Sequence, residues 1–180
     1  MRCLLLCLLL IPATCRADDA KDKPKAKAEP ATDVLSAALT QAKKDGKAVF
    51  LAFGSPSCGW CRVLDRYHAR PAVAAITGRH LVMTKVDIEE NPGGGEMYAK
   101  YSPPGVQGVP TWVILSADGT VLADSFEEVK GREKKNVGFP AAPNELAHYE
   151  KVMRAALPKL SADDLATLMA ELKDAQPKTK

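Results

Sequence analysis

The sequence lacks an excess of either charge, and this absence argues against one class of partner. Lys and Arg total 25 against 22 Asp and Glu, which gives a formal net charge of +3. The densest basic stretch, residues 130–135, contains Glu133 and no aromatic side chain on which a base could stack. We therefore expect no nucleic-acid partner, and we interpret this stretch as a solvated loop.

No hydrophobic run is long enough to form a membrane-spanning helix. Arg2 precedes an apolar run over residues 3–11, which is about half the length that a bilayer requires. A basic start followed by a short apolar run is typical of a secretory signal peptide. The small residue Ala17, which precedes Asp18, predicts cleavage that removes residues 1–17. We therefore expect a secreted or periplasmic protein.

Cysteine is scarce in the predicted mature chain. The sequence has five cysteines, and removal of residues 1–17 leaves only Cys58 and Cys61. A lipoprotein signal that uses Cys15 is the alternative, but Pro12 and Thr14 suit a lipidation site poorly.

The rest of the chain divides into three segments. Residues 18–31 contain no large apolar side chain, so they cannot offset the entropy of ordering and are predicted to be a disordered tether. Residues 32–157 form the predicted domain, and residues 158–180 a C-terminal appended helix and tail. The loop over residues 127–143 is also expected to be a structural addition.

Hydrophobic periodicity predicts alternating helices and strands in the domain. The first helix covers residues 33–44, capped by Thr32 or Asp33 and ended by Gly46. Later helices are predicted over residues 62–69, from Pro71, through Tyr101 and over 144–157. Strands are predicted over residues 48–53, 81–88, 112–115 and 120–125. This order predicts an α/β fold with a mixed central sheet between helices. Ser161 is expected to cap the last helix.

The spacing of Cys58 and Cys61 predicts redox chemistry. Cys58 stands where a buried strand ends and a helix begins, so unpaired N–H groups of the first helical turn favour its thiolate. Cys61 lies three residues later on the same helical face and can attack a mixed disulfide formed on Cys58. The only cofactor expected is this redox-active disulfide.

Three other interpretations of the pair are less favoured. A zinc site needs two more ligands, and the three histidines, His68, His80 and His148, show no recognisable spacing. A haem attachment site needs histidine after the second cysteine, where Arg62 stands. An inert structural disulfide would close too small a loop to remove much unfolded-state entropy.

Three separated blocks resemble the thioredoxin-like family, especially its exported members. The blocks are KAVFLAFGSPSCGWC, KVDIEENPG and GVQGVPTWVIL, and with the flanking helices the resemblance covers residues 32–157. It implies a three-layer thioredoxin-like fold. It also implies that Pro110 follows a cis peptide bond against the cysteines, and that backbone groups of Val109 pair with an extended substrate segment.

The sequence departs from the thioredoxin pattern around the cysteines. Ser57 replaces the usual tryptophan and Trp60 the usual proline, so Gly59 and Trp60 are expected to shape the substrate groove differently. Ala52 replaces the buried aspartate that helps to move the proton of the second cysteine, whereas its family neighbour Lys85 is retained. We therefore expect the attack by Cys61 to be slow at neutral pH.

The predicted function is extracytoplasmic thiol-disulfide exchange with protein disulfide or thiol substrates. Reduction is favoured because no histidine lies between the cysteines and no dimerisation module precedes the domain. Oxidase or isomerase activity is the alternative, as is a non-catalytic module that binds polypeptide or a soft metal. We expect a monomer that exchanges electrons with an external donor or acceptor, which could be membrane-bound.

Overall fold

The computed structural model describes residues 28–129 and 134–177. The predicted signal peptide, most of the predicted tether and most of the basic stretch at residues 130–135 lie outside the described residues. Among the helices of the described residues, none is both long and apolar enough to cross a membrane.

The helices and the first four strands follow the predicted order, and two short strands follow the fourth. The helices are α1 Ala31–Asp45, α2 Gly59–His68, α3 Pro71–His80, α4 Gly94–Tyr101, α5 Pro143–Ala156 and α6 Ala162–Asp174. The strands are β1 Ala48–Gly54, β2 Leu81–Asp87, β3 Thr111–Leu115, β4 Val121–Asp124, β5 Phe126–Glu127 and β6 Lys135–Asn136.

Four strands form a mixed sheet in the order β2-β1-β3-β4. Strand β1 pairs with β2 in parallel and with β3 antiparallel, and β3 pairs antiparallel with β4. The central position of β1 explains its apolar sequence, because a strand flanked by two others and covered on both faces is largely shielded from water. The residues that follow β1 therefore lie at the carboxyl end of a central strand of the sheet.

Two apolar clusters cover the two faces of the sheet, which gives the three-layer thioredoxin-like architecture. Phe50 and Trp112 belong to the cluster that also contains buried side chains of α2, α3, α5 and α6. Val49 and Leu51 point to the opposite face, into the cluster with side chains of α1 and α4. The alternation along β1 follows from the two-residue period of a strand.

The predicted cap of α1 is wrong. The helix begins at Ala31, with Pro30 in the capping position and no hydrogen bond from a side chain. The N–H of Ala31 instead donates to the carbonyl of Pro92, 2.9 Å away, so a distant loop satisfies it. The predicted end is confirmed, since Gly46 adopts the left-handed conformation with φ of 65°.

The last helix shares the core of the predicted domain. Ser161 accepts a hydrogen bond from the N–H of Asp164, which confirms the predicted cap. Leu165, Leu168 and Leu172 are buried in the same cluster as Tyr67. Helix α6 therefore covers α3 and α5 rather than lying apart from them.

The short hairpin β5–β6 lies in the stretch that sequence patterns place in a loop. Phe126 pairs with Asn136 and Glu127 with Lys135. Two-residue strands are too short to show an alternating pattern, which explains why periodicity does not find them.

Candidate functional site

Cys58 occupies the capping position of α2, directly after the turn that follows β1. Its Sγ accepts a hydrogen bond from the backbone N–H of Cys61, with an N–S distance of 3.0 Å. Helix α2 therefore starts at Gly59, three residues before the predicted start, because the side chain of Cys58 itself caps it. The first turn contains no acidic residue, so nothing there opposes the partial positive charge of the helix N-terminus.

Cys58 and Cys61 form a disulfide with an S–S distance of 2.08 Å. The two cysteines differ in access, because Cys61 is only 2% exposed whereas Cys58 is partly exposed. A solvent-borne disulfide can therefore reach the first sulfur and not the second.

The loop before β3 lies against the first sulfur. The peptide bond between Val109 and Pro110 is cis, and the carbonyl oxygen of Val109 lies 3.4 Å from Cys58 Sγ. The hydroxyls of Tyr98 and Thr111 both donate to the carbonyl of Gly108, at 3.3 and 2.8 Å. Residues 51 positions apart in the sequence thus form one site.

Trp60 and Gly59 lie between the cysteines at the start of α2. Half of the Trp60 surface is exposed, and its ring stacks on that of Phe139 with centroids 5.9 Å apart. Sequence patterns do not indicate Phe139, because it lies in an irregular stretch far from the cysteines in the chain.

Lys85 passes beside the buried sulfur through the space that Gly54 leaves free. A Cβ on Gly54 would lie 3.1 Å from Lys85 Cε and 3.3 Å from Cys61 Sγ. The ammonium of Lys85 binds Asp65, with an Nζ–Oδ2 distance of 2.6 Å. Ala52 is the register partner of Lys85 on β1, so α2 supplies a carboxylate to this lysine where β1 has none.

Asp65 is a site residue that sequence reasoning missed. It follows Cys61 by four residues, one helical turn, and this spacing could have indicated it. Asp87, the last residue of β2, has a structural role. It accepts hydrogen bonds from the N–H groups of Glu89 and Glu90, at 2.9 and 3.0 Å, and so stabilises the turn after β2.

His68 at the end of α2 is partly buried, and both of its ring nitrogens are shielded from solvent. Its ring lies 4.9 Å from that of Phe50 and 4.9 Å from that of Tyr67, between centroids. Burial lowers the pKa of His68 to about 4, and the charge of Asp65 partly opposes this shift. Within residues 28–129 and 134–177, no three His, Cys, Asp or Glu side chains are grouped so that they could hold a metal ion.

The sequence model of the thioredoxin-like family described as Thioredox_DsbH, a protein of unknown function (DUF255), matches residues 32–167. The chain belongs to this family. Its fold and its CxxC disulfide are those expected from the resemblance found in the sequence.

Two relatives of this Thioredox_DsbH family member are much longer than this chain. An uncharacterized protein of Caenorhabditis elegans is 29% identical over 63% of this chain and 16% of its own length. A protein disulfide-isomerase of Hordeum vulgare is 29% identical over 58% of this chain and 20% of its own length. The chain thus spans a fifth or less of these two curated relatives.

Among solved structures, the chain is similar to a disulphide isomerase from Xylella fastidiosa Temecula1. The two share 20% sequence identity, with a TM-score of 0.47, over 87% of this chain and 98% of that chain.

Proposed function

We propose that this protein is an extracytoplasmic thiol-disulfide oxidoreductase that favours the reduction of protein disulfides. The observation that carries the proposal is the disulfide between Cys58 and Cys61 at the N-terminus of α2, where Cys58 Sγ accepts a backbone hydrogen bond and is partly exposed. Hydrogen bonds and the helix dipole stabilise a thiolate at such a position.

In the reducing direction the reaction has two exchange steps. The Cys58 thiolate attacks one sulfur of the substrate disulfide, the substrate S–S bond breaks, and one substrate sulfur leaves as a thiolate that takes up a proton. The Cys61 thiolate then attacks Cys58 Sγ, which forms the internal disulfide and releases the second substrate thiol. The substrate gains two electrons, and an external dithiol must return two electrons to the protein.

The position of Val109 supports its role in holding the substrate. Its carbonyl oxygen lies beside Cys58 Sγ, at the mouth of the site. An extended polypeptide segment that pairs with this backbone would place its own disulfide in line with the attacking sulfur. Pro110 and Gly59 shape the surface on either side of that sulfur, and Trp60 borders it.

The absence of histidine between the two cysteines supports the reducing direction, and the apolar run after Arg2 supports export. In an oxidising compartment the electron donor would have to be a second protein, soluble or bound to the membrane. Oxidation or isomerisation of the same class of substrates is the alternative outcome.

Catalytic turnover of insulin disulfides with dithiothreitol as reductant tests this proposal. The protein should accelerate reduction over many cycles at substoichiometric concentration, and the Cys58→Ser variant should match the uncatalysed rate. A stoichiometric effect without turnover would instead indicate a binding module. The redox potential then tests the direction, since about −250 mV or below favours a reductase and about −180 to −120 mV an isomerase or oxidase.

A further inference from the structure

The segment from β6 to Phe139 packs against Trp60, which lies between the two cysteines, and against the loop before β3. We define residues 135–139 as the hairpin arm. This arm belongs to the stretch that the sequence adds to the thioredoxin pattern, and it is in contact with both the Pro110 loop and Trp60.

The amide of Asn136 joins the hairpin arm to the Pro110 loop. Its Nδ2 donates to the carbonyls of Gly108 and Pro110, both at 3.0 Å, and also lies 2.9 Å from Thr111 Oγ1. Its Oδ1 accepts from the hydroxyl of Ser125 at 2.9 Å and from the N–H of Gly138 at 3.1 Å. One side chain thus fixes the arm relative to the loop that contacts Cys58.

Close backbone packing holds the arm in the same place. Gly138 has φ of 59°, and a Cβ there would lie 2.9 Å from the carbonyl oxygen of Pro110. The carbonyl of Gly138 accepts a hydrogen bond of 2.7 Å from the indole nitrogen of the buried Trp112. The arm is therefore a fixed wall rather than a loose loop.

A groove of about 310 Å³ opens between this wall and the Pro110 loop. Its apolar lining comes from Trp60, Val109, Pro110, Val137 and Phe139. Glu145 also lines the groove, and its carboxylate is bound by Lys135 at 2.7 Å and by the N–H groups of Ala141 and Ala142 at 3.0 Å each. Two of the lining residues adjoin the disulfide, because Trp60 lies between the two cysteines and the carbonyl oxygen of Val109 lies 3.4 Å from Cys58 Sγ.

We propose that this groove is a specificity subsite that takes a large apolar side chain, such as leucine, from a substrate residue next to the reacting cysteine. The proposal rests on the proposed function and names the class of polypeptide that it acts on. Trp60 is 50% exposed although it is one of the largest apolar side chains in the chain, and a substrate side chain laid against it would cover that surface. Asn136 is a positioning residue, since it holds the wall at a fixed distance from the sulfurs.

Two matched peptide disulfides test the subsite. One is the symmetrical dimer of a peptide with leucine on both sides of its cysteine, and the other has serine at both positions. With dithiothreitol as reductant, the wild-type protein should reduce the leucine peptide with about tenfold higher kcat/KM, within the range that small changes in an apolar contact produce. Trp60→Ser should reduce this preference to about twofold, mainly through the KM of the leucine peptide.

Asn136→Asp provides a second variant of nearly the same shape. It sets a carboxylate against the carbonyls of Gly108 and Pro110, so it should also lower the preference. Leu122→Ser is the matched control, because Leu122 is an exposed apolar residue of β4 that does not line the groove. This control should keep the tenfold preference.

Equal kcat/KM for the two peptides in the wild-type protein would overturn the subsite and leave the oxidoreductase activity standing. A preference that survives Trp60→Ser at full size would also overturn it. Failure of the wild-type protein to turn over either peptide would instead contradict the proposed function itself.

Discussion

The partly buried side chain of His68 is expected to make the stability of the fold depend on pH. Its two ring nitrogens are shielded from solvent and have no hydrogen-bond partner among the described residues. The charged form is therefore disfavoured, and the pKa of His68 falls from its usual 6.5 to about 4 through burial. Between pH 6.5 and 4, His68 is protonated in the unfolded chain but not in the folded protein, so stability falls as the pH drops from 6.5 towards 4.

We predict that His68→Phe removes this part of the acid sensitivity. Between pH 7.5 and 4.5 the wild-type protein should lose about 2–3 kcal/mol more unfolding free energy than the variant does. Phenylalanine suits the site because the ring packs against Phe50 and Tyr67. Urea unfolding at the two pH values measures the difference, and equal losses in both proteins would show that His68 is not the sensitive group.

The ion pair of Lys85 and Asp65 places two opposite charges near Cys61. Both side chains are nearly half exposed, so solvent and salt screen each of them. The ammonium favours a thiolate on Cys61 and the carboxylate disfavours it. Ala52 adds no carboxylate from the strand, so we expect this pair to influence the rate of the second exchange step.

We predict opposite effects for the two charge-removing variants. The release of thionitrobenzoate from a mixed disulfide on Cys58 should rise about tenfold per pH unit between pH 6 and the point where Cys61 is fully ionised. Lys85→Met should move this profile to higher pH, and Asp65→Asn to lower pH, each by about half a unit because of screening. Stopped-flow absorbance measures the release. Shifts in the same direction, or a flat wild-type profile, would contradict this electrostatic account.

At the scale of elements, α6 shows that a helix outside the recognisable pattern can complete the core. Arg70, at the start of α3, forms ion pairs with Glu171 and Asp174, and Arg79, at the end of α3, binds Asp164 at 2.7 Å. These ion pairs also join α6 to α3. The hydroxyl of Tyr67 donates to the carbonyl of Leu168 at 3.2 Å. This hydrogen bond joins α6 to α2, the helix that contains Cys61.

We predict that Leu168→Ala costs about 2–5 kcal/mol of unfolding free energy. Leu168 is fully buried in the cluster that contains Tyr67 and Tyr149, and truncation would leave a cavity there. Leu122→Ala on the exposed surface of β4 is the control and should cost less than about 0.5 kcal/mol. Urea unfolding of both variants measures the costs. A small cost for Leu168→Ala would indicate that α6 contributes little to the core.

Elements with a strong local pattern could be predicted, and those fixed by distant partners could not. The apolar run of β1 and the glycine after α1 are local signals, and both were sufficient. The N–H of Ala31 at the start of α1 is satisfied by the carbonyl of Pro92, and Asn136 in β6 binds the carbonyls of Gly108 and Pro110, so distant partners fix both elements. Asp65 was missed for a related reason, since only its contact with Lys85 distinguishes it from any exposed helical carboxylate.

At the scale of the whole molecule, the fold brings four separate stretches to one sulfur pair. The cysteines come from the junction of β1 and α2, Lys85 from β2, Val109 and Pro110 from the loop before β3, and Phe139 from the hairpin arm. The sequence could predict the first three, because the motif blocks that resemble thioredoxin contain them. The fourth lies outside those motif blocks, so no local pattern in the sequence indicates its contact with Trp60.

The central claim is that the two cysteines have different roles, Cys58 attacking and Cys61 resolving. The physical reason is access, because Cys58 caps α2 at the surface whereas Cys61 lies beneath it, 2% exposed.

Trapping of mixed disulfides tests this claim most directly. The Cys61→Ser and Cys58→Ser variants are each incubated with a disulfide-containing substrate protein, and the products are separated by non-reducing electrophoresis and weighed by intact mass. Cys61→Ser should accumulate a long-lived adduct through Cys58, because no second thiol releases it, and Cys58→Ser should form none. Equal trapping by the two variants, or trapping by Cys58→Ser alone, would contradict the assignment.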